Sequence, residues 1–471
     1  METPRSTRPS TVSSALWIPR VPNVLRYVVA SGVYVALAGC GPSLQPSPTD
    51  APVVWRRDTL VPPVDSTDLR DTVWRIPAPV DSLPMASGRL VRVALSSGVP
   101  AVEIGATGDW RLLDEGGGVL LRVSSNDAWR LEARGRSVHA IRGGIVTPER
   151  AGPLVARAEQ VHDFMIVNGK RYRGEVVLTA RDGGLLVANR LHVEDYLRGV
   201  VPLEIGRRVA GEEAAVAAQA VAARSYAYVR MAGGQARPYD LVATVQDQVY
   251  GGADAETPIA DAAVWATRGL VITYGGRAVN APYHSTCGGS TAEVTEVWYR
   301  SRDEPYLRRV SDRIGGSDRY YCDPSPRFRW TKTLDRTVLT SALERYLSQY
   351  VSVPGGRVGV PSGLEVDGKT PSGRVAAVAV RTDRGRFLVR GNDVRFVMRV
   401  PNGEILNSTY FSVRTERDGA GRLARATFEG GGYGHGIGMC QWGAIGRARA
   451  GIDFRSILST YYPGTALASV E

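Results

Sequence analysis

At 471 residues, the chain exceeds the roughly 250–300 residues at which a single core stops growing, so two or more units with real cores are expected and no staples are needed to fold them. The net charge of +11 rests almost wholly on arginine, since lysine occurs only at Lys170, Lys332 and Lys369. No basic cluster is interleaved with aromatics, which argues against a nucleic-acid groove and leaves an anionic polymer as a partner.

In chain order, Arg5, Arg8, Arg20 and Arg26 precede the apolar run "YVVASGVYVALAG". The run is too short to span a bilayer and reads as an export signal. Its end, Leu37-Ala38-Gly39-Cys40, resembles the bacterial lipobox, which implies that residues 1–40 are a leader and that Cys40 becomes a lipidated N-terminus; an ordinary signal peptide is the alternative. Gly41 in place of aspartate resembles outer-membrane sorting. That places the protein in the cell envelope, on the periplasmic side of an outer membrane or, in a cell without one, on the outer face of the plasma membrane. Residues 41–86, with "GPSLQPSPTDAP" and "LVPPVDSTD", are proline-rich, lack an apolar period and read as an extended tether.

From residue 87 the pattern turns to short alternating runs, "LVRVALS", "AVEIGA", "WRLLD" and "VLLRVSS", parted by Gly and Asp turns. These predict a β-rich subdomain over 87–163, and "EVVLTA" and "LLVANRLHV" continue the pattern into a larger domain over 164–471. The fold class is α+β. One helix stands out: "GEEAAVAAQAVAARSYAYVRM" is alanine-rich, carries Glu212 and Glu213 in its first turn and is followed by Gly233-Gly234. Three-to-four spacing puts Gln219, Ala223, Tyr226 and Arg230 on one face.

Five blocks, "EDYLRGVVPLEIG", "EAAVAAQAVAARSYA", "YDLVATVQDQVYGG", "YHSTCGGSTAE" and "GHGIGMCQWGA", occur in an order that resembles the SpoIID/LytB family. A weaker block, "TPSGRVAAVAVRTDRGRFLVRGNDVRFVM", precedes the last. The resemblance implies a β-rich two-lobed fold with the alanine-rich helix behind a catalytic turn. For activity it implies a peptidoglycan lytic transglycosylase, which cleaves the MurNAc–GlcNAc β-1,4 bond and leaves 1,6-anhydro-MurNAc ends. Other members imply a different class: a non-catalytic, glycan-binding enhancer of an N-acetylmuramoyl-L-alanine amidase. Peptidoglycan strands, a cell-wall amidase and a membrane reached through a lipid anchor are the partners to expect.

A lytic transglycosylase needs one carboxyl, because the sugar's own C6 hydroxyl is the nucleophile. Pro202-Leu203-Glu204-Ile205 matches the family's Pro-Ser-Glu-Met at the acid, so Glu204 is the candidate catalyst, expected in a turn before the helix with apolar neighbours that raise its pKa. Gln219 and Arg224 match the family's helix motif. Arg224 would hold a substrate acetamido oxygen or lactyl carboxylate, or else form a helix-to-loop salt bridge; Tyr226 lies on the same helix. The glycine-rich "FEGGGYGHGIGMCQWGA" is expected to wall the glycan groove, with His284, His435 and Gln441 bonding to sugar groups and Tyr433 or Trp442 stacking on them. The alternative is a tight loop that needs its glycines for itself. In an oxidising compartment Cys287 and Cys322 are expected to form a disulfide, with free thiols as one alternative. Zinc carried by some members of the family implies an alternative site of His284, Cys287 and Cys322, with a fourth ligand from His435 or Cys440. No other cofactor is expected, and His139, His162 and His192 show no partner spacing.

Overall fold

The computed structural model describes residues 89–181, 183–233, 237–400 and 402–470; the leader, Cys40 and the tether at 41–86 lie outside the described residues. Strand outweighs helix, as an α+β chain requires. Two seven-stranded sheets open the body. The first runs Leu241–Val242, Leu90–Val99, Gly184–His192, Glu175–Arg181, Leu154–Ala158, Trp110–Leu113, Val119–Val123. The second has Lys170–Tyr172, Met165–Val167, Ala101–Ala106, Trp129–Arg134, Ser137–Arg142 and Ile145–Val146 in order, with Arg150–Ala151 paired to Ser137–Arg142. Each predicted alternating run is a strand. Period-two burial explains why: Val91, Val93, Ile104, Trp110, Leu112, Leu131 and Leu178 all turn into one core.

A boundary between residues 163 and 164 does not survive. Leu90–Val99 pairs antiparallel with Gly184–His192, and Ala101–Ala106 pairs with Met165–Val167, so strands from both sides share both sheets. Cutting there would break three strand pairings in the first sheet and one in the second, leaving their backbone donors unsatisfied.

Two helices follow. α1 (Val193–Ile205) begins with Glu194 and Asp195 against its positive end, buries Tyr196, Leu197, Val200, Val201 and Ile205, and stops at Gly206, where φ is +79°. Pro202 is tolerated in the last turn, where only a single backbone bond is lost. α2 (Glu213–Gly233) buries an almost continuous alanine surface. Small side chains let it lie close to α1, to α3 (Pro258–Ala266) and to the strand Leu270–Tyr274, which the C-terminal strand Ala466–Ser469 completes. A second apolar cluster, including Leu334, Leu343, Val378, Phe387 and Phe428, fills residues 329–431. Two three-stranded sheets build it, Arg329–Asp335 with Leu423–Gly431 and Phe411–Arg417, and Pro361–Val366 with Ala377–Thr382 and Gly385–Arg390. No helix among the described residues is long and apolar enough to cross a membrane.

Candidate functional site

Glu204 stands in the last turn of α1, not in the connecting turn expected from the sequence. The helix continues through Pro202 because Val200, Val201 and Ile205 are all drawn into the core. Its side chain is largely enclosed, and one carboxylate oxygen accepts the Val249 N–H at 2.7 Å. Burial raises its pKa from 4.5 to about 7, against the smaller lowering effect of that backbone bond. The group is therefore a protonated acid at mildly acidic pH that can also exist as a carboxylate near neutrality.

Phenols and amides surround it. Tyr196 donates to Gln248 Oε1 at 3.1 Å, and Gln248 Nε2 donates to the Tyr283 hydroxyl at 2.9 Å. Tyr226 donates to Asp247 Oδ1 at 2.8 Å. Burial, then the neighbouring Asp247 and Glu204 charges, hold Tyr196 and Tyr226 well above the usual phenol range; burial and Glu204 do the same for Tyr283. All three remain hydrogen-bond donors at any working pH. Asp247 itself is fully committed: Arg230 pairs with Oδ1 at 2.6 Å and the Val242 N–H donates to Oδ2 at 2.9 Å.

The expected face of α2 is real. Gln219, Tyr226 and Arg230 all turn toward these groups, and Gln441 closes the site from the far end of the chain. Its Nε2 donates to the Glu204 carbonyl at 3.0 Å and to Gln219 Oε1 at 3.2 Å. Gln219 and Gln441 are both buried. They tie α2 and the helix Gln441–Arg449 to the backbone that carries the acid.

Three other expected contacts are taken by the protein. Arg224 is fully buried and pairs with Glu194 through Nε and Nη2 at 2.8 and 2.7 Å. Its remaining donors reach the Leu270 and Val264 carbonyls at 3.1 and 3.2 Å. It forms a salt bridge, between α2 and the first turn of α1 and not to a loop, with nothing left for a sugar. His435 spends both ring nitrogens on backbone: Nε2 bonds the Tyr283 carbonyl at 2.9 Å and Nδ1 accepts the Ile437 N–H at 3.1 Å. His284 is buried, with Nδ1 on the Ile437 carbonyl at 3.1 Å. Burial lowers His284 to about 4 and His435 to about 3, so both stay neutral.

The glycines between Tyr433 and Met439 have the same explanation. Gly436, at φ +90°, would bring a Cβ within 2.2 Å of the Arg374 guanidinium, and Gly438, at φ +67°, within 2.0 Å of the Pro282 carbonyl. What comes close to this backbone is the chain itself, where the strand Met439–Cys440 pairs with Tyr283–His284. Tyr433 and Trp442 are half-buried, with Arg327 and Arg208 over their rings at 4.9 and 5.6 Å.

The cysteines also depart from expectation. Cys287 and Cys322 are free thiols with sulfurs 3.5 Å apart, not a disulfide. They are near neighbours, as a bridge would require, yet Cys440 and Asp312 share the same space. The donor atoms of all four lie within 4.8 Å of one another, and His284 and His435 are not among them. The donor set is thus richer in sulfur than the His284, Cys287, Cys322 set implied above. Sequence reasoning missed Asp312, Asp247, Gln248 and Tyr283; the block "YDLVATVQDQVYGG" was a signal for two of these, though it carried no role.

A large groove of about 620 Å³ lies elsewhere, on the sheet of the second cluster, lined by Arg329, Trp330, Lys369, Tyr410, Phe411 and Glu429.

A model of the stage II sporulation protein family, SpoIID, matches residues 181–274, which span α1, α2 and α3, and one described as a domain of unknown function (DUF8618) matches residues 316–438. The chain is 30% identical over 306 residues to an uncharacterized protein of Brachyspira hyodysenteriae, covering 65% of this chain and 74% of that one. It is 30% identical over 313 residues to the amidase enhancer of Bacillus subtilis, covering 58% of this chain and 40% of that longer protein. To stage II sporulation protein D of Bacillus subtilis it is 28% identical over 295 residues, 59% of this chain and 75% of that one. With Glu204 on α1, the alanine-rich α2 behind it and Gln441 closing the site, the chain belongs to the SpoIID/LytB family.

Proposed function

We propose that this protein is a peptidoglycan lytic transglycosylase of the cell envelope, with Glu204 as its single acid–base group. The observation that carries the reading is an enclosed carboxyl whose pKa burial raises to about 7 and which, among the described residues, accepts one backbone N–H. In the first half of the reaction Glu204 gives its proton to the glycosidic oxygen as the C1–O bond breaks toward the leaving sugar. In the second, the carboxylate takes the proton of the muramic C6 hydroxyl as O6 bonds to C1. Water is not consumed. A hydrolase would need a second free carboxylate, and Asp247, the acid at the phenol cluster, is held by Arg230, Tyr226 and the Val242 N–H. Gln441, braced by Gln219, holds the backbone that carries the acid. On this reading residues 329–431 are the second lobe of a two-lobed body, and their groove holds the glycan strand. A lipid on Cys40 and the tether at 41–86 would hold the body in the envelope.

A second reading is favoured by one observation: Arg224 and His435 are committed internally and the large groove lies on other residues. A glycan-binding enhancer of an N-acetylmuramoyl-L-alanine amidase, as the Bacillus subtilis relative is named, needs a groove and no acid. The two readings separate in one experiment. The protein is incubated with peptidoglycan, both intact and stripped of stem peptides, and the products are weighed. Fragments ending in 1,6-anhydro-MurNAc, one water lighter than hydrolysed ends, are expected. Binding without such product on either substrate, together with faster amidase turnover that persists in Glu204→Gln, would replace the enzyme with the enhancer.

A further inference from the structure

The four side chains that meet behind the glycine-rich segment have no part in the proposed chemistry. Cys287 follows the strand Tyr283–His284, Asp312 and Cys322 come from the loop between them and the second cluster, and Cys440 is the N-cap of the helix Gln441–Arg449. All four are buried. From these positions we infer that Cys287, Asp312, Cys322 and Cys440 form a closed, tetrahedral site for a structural zinc ion.

Spacing is the first support. A zinc ion bound by thiolates at about 2.3 Å separates its ligands by about 3.7 Å. Cys287 Sγ lies 3.5 Å from Cys322 Sγ and 3.2 Å from Asp312 Oδ2, and the four donor atoms fall within 4.8 Å of one another. Asp312 is prepared for this role on its other oxygen: Oδ1 accepts from Arg447 at 2.6 Å and from the Tyr461 hydroxyl at 2.7 Å, which leaves Oδ2 turned to the sulfurs. Even the local backbone makes room. A Cβ on Gly443 would stand 2.2 Å from Asp312 Oδ2 and 2.0 Å from the Tyr461 oxygen.

The sulfurs are also placed as hydrogen-bond acceptors. Cys440 Sγ accepts the Cys287 and Gly443 N–H groups at 3.2 and 3.3 Å, and Cys287 Sγ accepts the Gly289 N–H at 3.4 Å. Three thiolates, one carboxylate and a dication leave a net charge of −2. Two buried guanidiniums face that charge: Arg447 on Asp312, and Arg374, which donates to the Cys287 carbonyl at 3.1 Å while its Nε and Nη1 have no hydrogen-bond partner. A Cys287–Cys322 disulfide would instead remove the thiol proton that faces Asp312 Oδ2 and leave that buried oxygen without a donor. Binding displaces the thiol protons, so the ion's affinity falls with acid. Its structural effect is to pin the 312–322 loop to the cap of the helix that sets Gln441 on Glu204.

This inference does not depend on the catalytic reading, and its test reads metal and thiols only. Full-length protein purified without reductant or chelator should contain one zinc per chain. Cys287, Cys322 and Cys440 should resist alkylation until a chelator is added. Replacing zinc with cobalt(II) should give sulfur-to-cobalt charge transfer and the visible bands of a tetrahedral centre, with the charge transfer weaker in Cys322→Ser. Arg447→Met should cut zinc affinity by about 10- to 100-fold, Asp312→Asn by at least as much, and His284→Gln should keep the metal. Metal-free wild-type protein with a mapped Cys287–Cys322 disulfide, or with three freely alkylated thiols, would overturn the site. So would zinc retained in Asp312→Asn and lost in His284→Gln.

Discussion

Glu204, partly buried, and Asp312, fully buried, are both carboxyls whose pKa burial raises to about 7, yet their surroundings suit them to opposite tasks. Asp312 has an arginine and a tyrosine on one oxygen and a thiol on the other. Glu204 has a single backbone N–H. A carboxyl held by a cation and several donors is a fixed structural element; one with a single backbone donor and no cation keeps a proton that can be spent on a substrate. The difference lies in partners as well as in burial, which is complete at Asp312 and partial at Glu204.

The comparison can be broken most sharply at Glu204. Glu204→Gln keeps size and the bond from Val249 but cannot donate a proton. Release of anhydro-muropeptides should fall by about 10²- to 10⁴-fold, with glycan binding unchanged. Equal loss of binding and turnover would mean that the side chain holds substrate instead of moving a proton.

At Asp312 the same logic predicts a loss of stability. Arg447→Met leaves a buried carboxylate without its cation and should lower unfolding free energy by about 3–5 kcal/mol, read by chemical denaturation. A change below about 1 kcal/mol, the size of an exposed pair, would contradict the closed character of that site.

The smallest effect has the most telling sign. Glu204 has a folded pKa near 7 against the ordinary 4.5 of a glutamate carboxyl, so the native state binds more protons across that window and stability is lost as pH rises through it. Glu204→Gln should therefore stabilise the fold by up to about 3 kcal/mol above pH 7 and by nothing near pH 4. A variant less stable than wild type at pH 8 would show that the carboxylate is favourably held.

How much of this was legible in the sequence depended on range. The strands at 90–99, 101–106 and 175–181 were, because alternation is local. The boundary at 163 was not, because Leu90 pairs with His192, and no periodicity records a partner so distant. Glu204 could be found through its motif and the apolar residues beside it. Its network could not: Gln248 and Tyr283 are isolated polar residues whose roles arise only when α2 and the strand Tyr283–His284 are brought together. Asp312 sits in the charged run "SDRIGGSDRYY", which reads as surface, yet it is buried. The glycines of "YGHGIGM" showed correctly that something approaches the backbone. Only the structure identifies Pro282 and Arg374 as what approaches. Arg224 matched a family motif, and its role is to hold α2 to Glu194.

The central claim is that Glu204 is a proton donor poised near neutrality by its surroundings. Its most direct test follows the carboxyl carbon of Glu204 by NMR across pH 3 to 9 in protein labelled at glutamate, with the signal assigned by its absence in Glu204→Gln. The account predicts a midpoint near 7, matched by loss of anhydro-product release on the alkaline side. A midpoint near 4.5, the ordinary value for glutamate, would contradict it.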